Sequence, residues 1–468
     1  MSLRKAIDRR GFDWITFAIY ISLVIIGTIS LYSVLYDKDN PYSFLSTNTE
    51  MGRYVIFVIL SLSAFLIVYL IEWKFWYTFS YPVFLFGILL LIGVLIFGSD
   101  IKGSRSWFYF SGFSFQPSEF AKFGTALAIS SYLAHYKNNL KNLKNIAVAF
   151  SIILLPMLLI LMQPDAGSAL TFFSLLILFY RAGFTPLFYI ILGILIAAFI
   201  TTLVFTPYWV SLTALIVSFG ILVLLYSKRK FWFIIYIVFT GFSIFIFIHD
   251  FRIYTIIAMI LILFLFSILH WLKNRENSIY LIPFTVTFII TLSFLTNYTF
   301  NNILKPHQQE RVNVWLNPEK CDPRGSLYNV LQSKTAIGSG GFSGKGFLKG
   351  AMTHLNFVPE QTTDFIFSSI GEEQGFIGIL SIIVLFFLLI TRILIIAERG
   401  KTKFITYYGY ALAGYIFIHF FMNIGMNMGI VPVVGIPLPF ISKGGTSLLV
   451  FSIMMAVLLK MDAERNIR

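Results

Sequence analysis

Apolar residues in this chain occur in long unbroken runs rather than in one-sided stripes. Runs of about 17–25 such residues, enough to cross roughly 30 Å of hydrocarbon, lie near 14–36, 53–71, 77–97, 117–135, 145–162, 166–180, 185–205, 209–226, 231–248, 253–272, 279–298, 365–396, 404–429 and 440–460. The pattern predicts an all-α polytopic membrane protein of about 14 transmembrane helices. Two borders stay open: 145–180 also reads as one segment broken at Gln163-Pro164, and 365–396 as a short re-entrant piece followed by a span. Arg4, Lys5, Arg9 and Arg10 precede the first run, which has no small-residue cleavage site, so a retained first helix is expected rather than a cleaved signal.

Exposed material is concentrated in 299–364, a loop of about 66 residues where 2–8 is usual between helices. Its Gly-rich stretch GSGGFSGKGFLKG (338–350) is interleaved with Phe342, Phe347 and Leu348, which predicts an ordered, partly membrane-apposed loop rather than a linker. A second loop, 98–116, carries Lys102, Arg105, Trp107 and Phe108. These borders divide the chain into helical stretches 1–205 and 206–298, the loop 299–364 and C-terminal helices 365–468.

Composition agrees: 58% of the 468 residues are hydrophobic and 12% charged, which excludes both a soluble globular domain and a disordered chain. The net charge of +14 raises nucleic acid or anionic lipid as partners. Topology decides between them. With the N-terminus in the cytoplasm, Arg4, Lys5, Arg9, Arg10, Lys74, Lys137, Lys141, Lys144, Arg181, Lys228, Arg229, Lys230, Lys273, Arg275, Arg392, Arg399, Lys401, Lys403, Lys460, Arg465 and Arg468 all fall inside, both termini are cytoplasmic, and 299–364 faces outward. These segments hold 21 of the 35 basic residues and seven of the 21 acidic ones (Asp8, Asp13, Glu72, Glu276, Glu398, Asp462, Glu464), so they account for the whole excess. The charge is a topology signal, membrane lipid is the expected neighbour, and no nucleic-acid partner is expected.

The single cysteine, Cys321, excludes an intramolecular disulfide, and six histidines without HxxxH or HExxH spacing give no zinc framework. There is no P-loop, Rossmann fingerprint or Ser-His-Asp elbow, which disfavours ATP-driven pumping. Charges inside apolar runs, each costing about 2.5–3.5 kcal/mol at the bilayer centre, need a reason. Glu119 and Lys122 in QPSEFAK lie three apart behind Pro117, a good first-turn residue; they either line a polar cavity or simply neutralise each other and lock two helices. Asp165, after Gln163-Pro164, reads first as a plain N-cap. Asn423, Asn427, Ser442, Lys443 and Ser447 surround GIVPVVGIPLPFISKGG, which with three prolines and four glycines cannot be a continuous helix. In the long loop, Asp322-Pro323-Arg324-Gly325 is a turn signal that gains weight from Arg311, Lys320, Arg324, Lys334 and Lys345 nearby, and Glu360 and Asp364 return the chain to the membrane.

In order along the chain, GSRSWFYFSGFSFQPSEFAK, QPDAGSAL, NPEKCDPRG with NVLQSKTAIGSGGFSGKGFLKG, FVPEQTTDFIFSSIGEEQGFIG and NIGMNMGIVPVVGIPLPFISKGGTSL resemble the motifs of the shape, elongation, division and sporulation family of RodA, FtsW and SpoVE. The likeness covers 11–205 and 306–460, and the loop is more RodA-like than FtsW-like. Two departures stand out: about four spans within 207–298 are additional to a ten-helix core, and Cys321 is an extra residue between NPEK and DPRG, with Asn317 in place of a first Asp. Four is even, so the loop emerges on the same face with or without them.

The resemblance implies a glycosyltransferase of the bacterial cytoplasmic membrane that polymerises lipid II into glycan strands on the outer face. Undecaprenyl pyrophosphate is released, and the expected partners are a class B penicillin-binding protein and the elongation machinery. By motif, Asp322 matches the essential loop aspartate, and Glu119 and Lys122 the pair of the central cavity. The chemistry fits: a pyrophosphate leaving group needs charge stabilisation rather than a proton, so one carboxylate base suffices where a glycosidase needs two. Asp322 is then the base, Arg105, Arg311, Lys334 and Lys345 the candidate pyrophosphate contacts, and Glu119, Lys122, Asp165, Glu360, Asp364, Ser442 and Lys443 the supporting polar positions. A divalent cation, Mg2+ or Mn2+, is compatible with the same task, although no metal cage is visible. A flippase or transporter for lipid-linked sugar, a division-specific FtsW-type polymerase and a non-catalytic scaffold are the alternatives.

Overall fold

The computed structural model describes residues 11–36, 49–101, 104–110, 113–135, 140, 142–226, 230–249, 251–275, 277–304, 306–322, 325, 327–355 and 357–466. Of the charges assigned above, Arg4, Lys5, Asp8, Arg9, Arg10, Lys102, Lys137, Lys141, Lys228, Arg229, Glu276, Arg324 and Arg468 lie outside the described residues.

The chain is an all-α polytopic membrane protein, and each predicted apolar run is helical. The first part comprises α1 (Trp14–Leu35), α2 (Glu50–Leu70), α3 (Trp73–Thr78), α4 (Ser80–Phe97), α5 (Pro117–Ala134), α6 (Leu143–Leu161), α7 (Ala166–Thr171) and α8 (Leu176–Arg181). Between α4 and α5 lie three strands, β1 (Ser99–Ile101), β2 (Ser104–Phe110) and β3 (Phe113–Phe115). There follow α9 (Pro186–Val204), α10 (Pro207–Tyr226), α11 (Lys230–Ile248), α12 (Arg252–Asn274), α13 (Leu281–Asn302) and α14 (Pro306–Leu316). The chain ends in α15 (Leu327–Ser339), α16 (Ala351–His354), α17 (Ile366–Arg399), α18 (Lys403–Asn427) and α19 (Gly445–Ala463). Among the described residues, eleven helices are long and apolar enough to cross a membrane, while 166–181 and 233–248 are shorter and α5 carries Glu119 and Lys122.

Local chemistry sets the borders. Asp13, Thr49, Asn142, Asp165 and Thr402 cap α1, α2, α6, α7 and α18 through their side chains, and proline opens α5, α9 and α10. The break at Gln163-Pro164 is real: α6 ends at Leu161 and the next run is divided into α7, a 3-10 turn and α8. The last helix begins at Gly445 rather than at 440, because Pro437 and Pro439 hold the preceding segment in irregular backbone.

Two features depart from the expectation of plain loops and helices. β1, β2 and β3 form an antiparallel three-stranded sheet in which Ser99 faces Trp107 and Tyr109 faces Ser114, consistent with the β preference of Trp107-Phe108-Tyr109-Phe110. The second is in α17, where Gly375 takes φ 64° and ψ −158° and breaks the helix. A break strands carbonyls of the turn before it and N–H groups of the turn after it. The Gly-rich segment satisfies both. Lys345 N–H donates to Glu372 O (3.0 Å) and Gly346 N–H to Glu373 O (2.9 Å), while Phe376 N–H donates to Gly341 O (3.0 Å) and Ile377 N–H to Phe342 O (3.2 Å). Glycine is required at 344, where φ is +79° and a Cβ would stand 2.1 Å from Glu373 O. The run 338–350 is thus an ordered part of the fold, as its interleaved aromatics predicted.

The chain forms two compact units, 1–184 with 322–468 and 185–321. The family likeness places a border at 205/206 and the apolar runs place borders at 298/299 and 364/365, whereas the compact units divide at 184/185 and 321/322. In the first unit α5 packs on α4 and α18, α19 on α2, and α17 on α1, α15 and α18. Gly27 of α1 lets the backbone of Phe440 and Ile441 approach so closely that a Cβ would meet Phe440 O at 2.5 Å. The second unit has its own core, built from Leu212, Leu215, Leu222, Phe247, Met259, Leu263 and Ile279. Helix α9 joins it by packing on α13, with Thr202 Oγ1 donating to Ser293 Oγ at 3.0 Å.

Candidate active site

Asp322 ends the short helical turn Pro318–Lys320 and Cys321 and opens the turn predicted from its sequence: Gly325 N–H donates to Asp322 O at 3.0 Å. Asp322 is exposed. Helix α15 follows at once and is anchored on α18, where Ser333 Oγ donates to Asn427 O (3.0 Å). The position of the turn is therefore set from the C-terminal side by a buried side-chain contact.

Glu119 and Lys122 meet as the i, i+3 spacing requires, Nζ to Oε1 at 2.7 Å, with 2% and 1% of their side chains exposed. The ammonium also lies 2.9 Å from His419 Nε2 on α18, whose Nδ1 stands 3.0 Å from Pro437 O. Through Lys122 and His419 the enclosed pair ties α5 to α18. Glu119 Oε2 has no hydrogen-bond partner among the described residues.

Asp165 is an N-cap, as read, accepting from Ser168 N–H at 3.0 Å, and it also accepts from Gln116 Nε2 at 3.1 Å. It fastens the start of α7 to the entrance of α5. Glu360 is exposed, has φ 56° and closes a turn through its carbonyl, which accepts from Thr363, Asp364 and Phe365 N–H. That turn is gripped from three sides. Asn423 Nδ2 and Asn427 Nδ2 each donate to Asp364 O at 3.0 Å, Ser442 Oγ donates to Thr363 O at 2.6 Å, and Lys443 N–H donates to Thr362 O at 2.8 Å. Asp364, Ser442 and Lys443 are thereby brought together, with the Lys443 ammonium 2.7 Å from Glu50 Oε2.

The cations expected around Asp322 lie on different elements. Arg105 is exposed on β2, Lys334 is exposed on α15, and Arg311 is exposed on α14 in the second unit. Lys345 is committed elsewhere: its Nζ lies 2.6 Å from Glu372 Oε1, a carboxylate with 0% of its side chain exposed. Glu372 also accepts from Met352 N–H (3.0 Å), Thr353 N–H (2.9 Å) and Thr353 Oγ1 (2.8 Å). Beside it Glu373 accepts from Ser33 Oγ at 2.5 Å. Sequence reasoning missed Glu372, Glu373 and His419. The doublet in GEEQG, two carboxylates in an apolar run, was the available signal, since such groups persist only when partnered. Among the described residues no group of three or more His, Cys, Asp or Glu side chains could hold a metal ion.

Comparison with known proteins adds the family. The model of the cell cycle protein family FtsW, RodA and SpoVE matches residues 13–219 and 228–467. The peptidoglycan glycosyltransferase RodA of Treponema pallidum (strain Nichols) is 30% identical over 457 residues, 97% of this chain and 98% of that one, so 206–298 falls almost entirely within the matched span. The peptidoglycan glycosyltransferase MrdB of Escherichia coli (strain K12) is 30% identical over 389 residues, 82% of this chain and 78% of its own. A chain from a peptidoglycan synthase complex, solved for the coordination of polymerization and crosslinking, shares the fold with a TM-score of 0.63 and 21% identity, covering 98% of this chain and 99% of that chain. The order of motifs, the helical architecture and a family match over nearly the whole sequence agree, and the chain belongs to the FtsW/RodA/SpoVE family.

Proposed function

We propose that the chain is a peptidoglycan glycosyltransferase that polymerises lipid II during cell elongation, with Asp322 as general base. The reading is carried by one observation: an exposed carboxylate on a tight turn, directly before a helix anchored by Ser333 on Asn427. Relatives named RodA and MrdB at 30% identity over most of both chains support the reaction and the elongation role. Asp322 takes the proton from the acceptor hydroxyl as the glycosidic bond forms, and the polyprenyl pyrophosphate leaves with its charge met by Arg105 and Lys334. Lys345 serves better as an anchor, because its ammonium already neutralises buried Glu372. The donor set gives no basis for assigning Mg2+ or Mn2+ to particular side chains.

The site faces outward from the bacterial cytoplasmic membrane, both termini lie in the cytoplasm, and a class B penicillin-binding protein crosslinks the strands. A chain homologous in fold to one in a peptidoglycan synthase complex supports such a partner. The test is reconstitution of purified protein, with its penicillin-binding partner, in liposomes containing lipid II. Strand formation is expected. Translocation of lipid II without strands would instead establish the transporter reading.

A further inference from the structure

The buried ion pair of α5 has a third member on α18. His419 Nδ1 faces the carbonyl of Pro437 at 3.0 Å, an acceptor, so that nitrogen carries the hydrogen. Its Nε2 faces the Lys122 ammonium and must present a lone pair. The ring is thereby held as a single neutral tautomer that accepts from Lys122 and donates to the segment 428–444. Lys122 in turn bridges two acceptors, Glu119 Oε1 at 2.7 Å and His419 Nε2 at 2.9 Å, while Phe451 closes over it at 6.0 Å.

The segment that His419 holds also grips the loop return. Next to Pro437, Ile436 O accepts from Asn423 Nδ2 at 2.8 Å, and the same amide reaches Asp364 O at 3.0 Å. Ser442 and Lys443 bind the carbonyls of Thr363 and Thr362. A continuous set of polar contacts therefore joins Glu119 and Lys122 to the turn that ends the long loop. On the polymerase reading, we infer that His419 is a positioning residue, fixing the Lys122 ammonium and tying the 428–444 segment to α5 so that the loop is held in its reactive arrangement.

The test compares wild type with His419→Gln, whose amide can both accept and donate, and with His419→Leu, which can do neither. Strand growth on lipid II is measured in liposomes together with unfolding temperature. Loss of a hydrogen bond to a charged group predicts that His419→Leu lowers kcat about 10- to 100-fold with little change in KM, and His419→Gln restores most of it. Full kcat in His419→Leu, or equal loss in both variants, overturns the inference. A second readout stands apart from catalysis. Side-chain 15N spectra of histidine-labelled protein, with the His419 signal identified by its loss in His419→Gln, should show the Nδ1–H tautomer; an Nε2–H or doubly protonated ring overturns the proposal. If wild type makes no strands, the reaction assignment fails, and the ring spectrum alone decides whether His419 holds Lys122.

Discussion

At the scale of single residues, the enclosed pair Glu119–Lys122 is the most exacting feature. Two charges with 2% and 1% exposure are tolerable only together, since removing one leaves the other buried without compensation. Lys122→Met is expected to destabilise the protein by about 3–5 kcal/mol, and Glu119→Leu with Lys122→Met to recover most of that loss. Detergent unfolding curves of the two variants check this; equal midpoints would contradict it. The sequence announced this pair because its members are three residues apart, and announced the Asp322 turn and the Asp165 cap for the same reason. His419 stands 297 positions from Lys122, so no local spacing could reveal it. The partner of Lys345, Glu372, is 27 residues away, so the ion pair between them is likewise invisible to local spacing.

Elements were legible where the signal is a sustained apolar run. Length and hydropathy located the helices, and proline located the break after α6. What escaped is backbone pairing between segments. The sheet pairs the short strands β1 and β3 with β2, and the Gly-rich run replaces the missing turn of α17 with bonds from residues some 30 positions earlier. Gly375→Ala should therefore be damaging, because the backbone is strained for any L side chain and a Cβ would lie 2.3 Å from Gly344 N. Strain of that kind alone costs about 1–3 kcal/mol, and the close contact adds to it. A lowered unfolding midpoint is expected for Gly375→Ala and for Gly344→Ala. Gly193→Ala, on α9 with open space around it, should change little; a comparable loss there would remove the special role of the exchange.

For the whole molecule, sequence gave the fold class and family, while the division at 184/185 and 321/322 depends on which helices pack together, which apolar composition does not encode. Within the first unit the start of α1, the last two turns of α17 and the end of α19 are joined by charge: Asp13 meets Arg392 (2.5 Å) and Arg399 (2.6 Å), and Arg399 also meets Asp462. Burial opposes ionisation of Asp13, but the Thr16 N–H and the two arginines outweigh it and hold the carboxyl below its ordinary 3.8. Such a group stabilises the fold fully above its unfolded-state value and loses that contribution as pH falls through the folded one. Unfolding temperature should fall below about pH 4 in wild type and fall less steeply in Asp13→Asn, which starts lower at neutral pH; superimposable curves would contradict this. Asp322 carries the proposed reaction. The most direct measurement is strand formation from lipid II by purified Asp322→Ala and wild type at equal amounts of folded protein. Loss of polymerisation with an unchanged unfolding midpoint is predicted, and full polymerisation by Asp322→Ala would contradict the assignment.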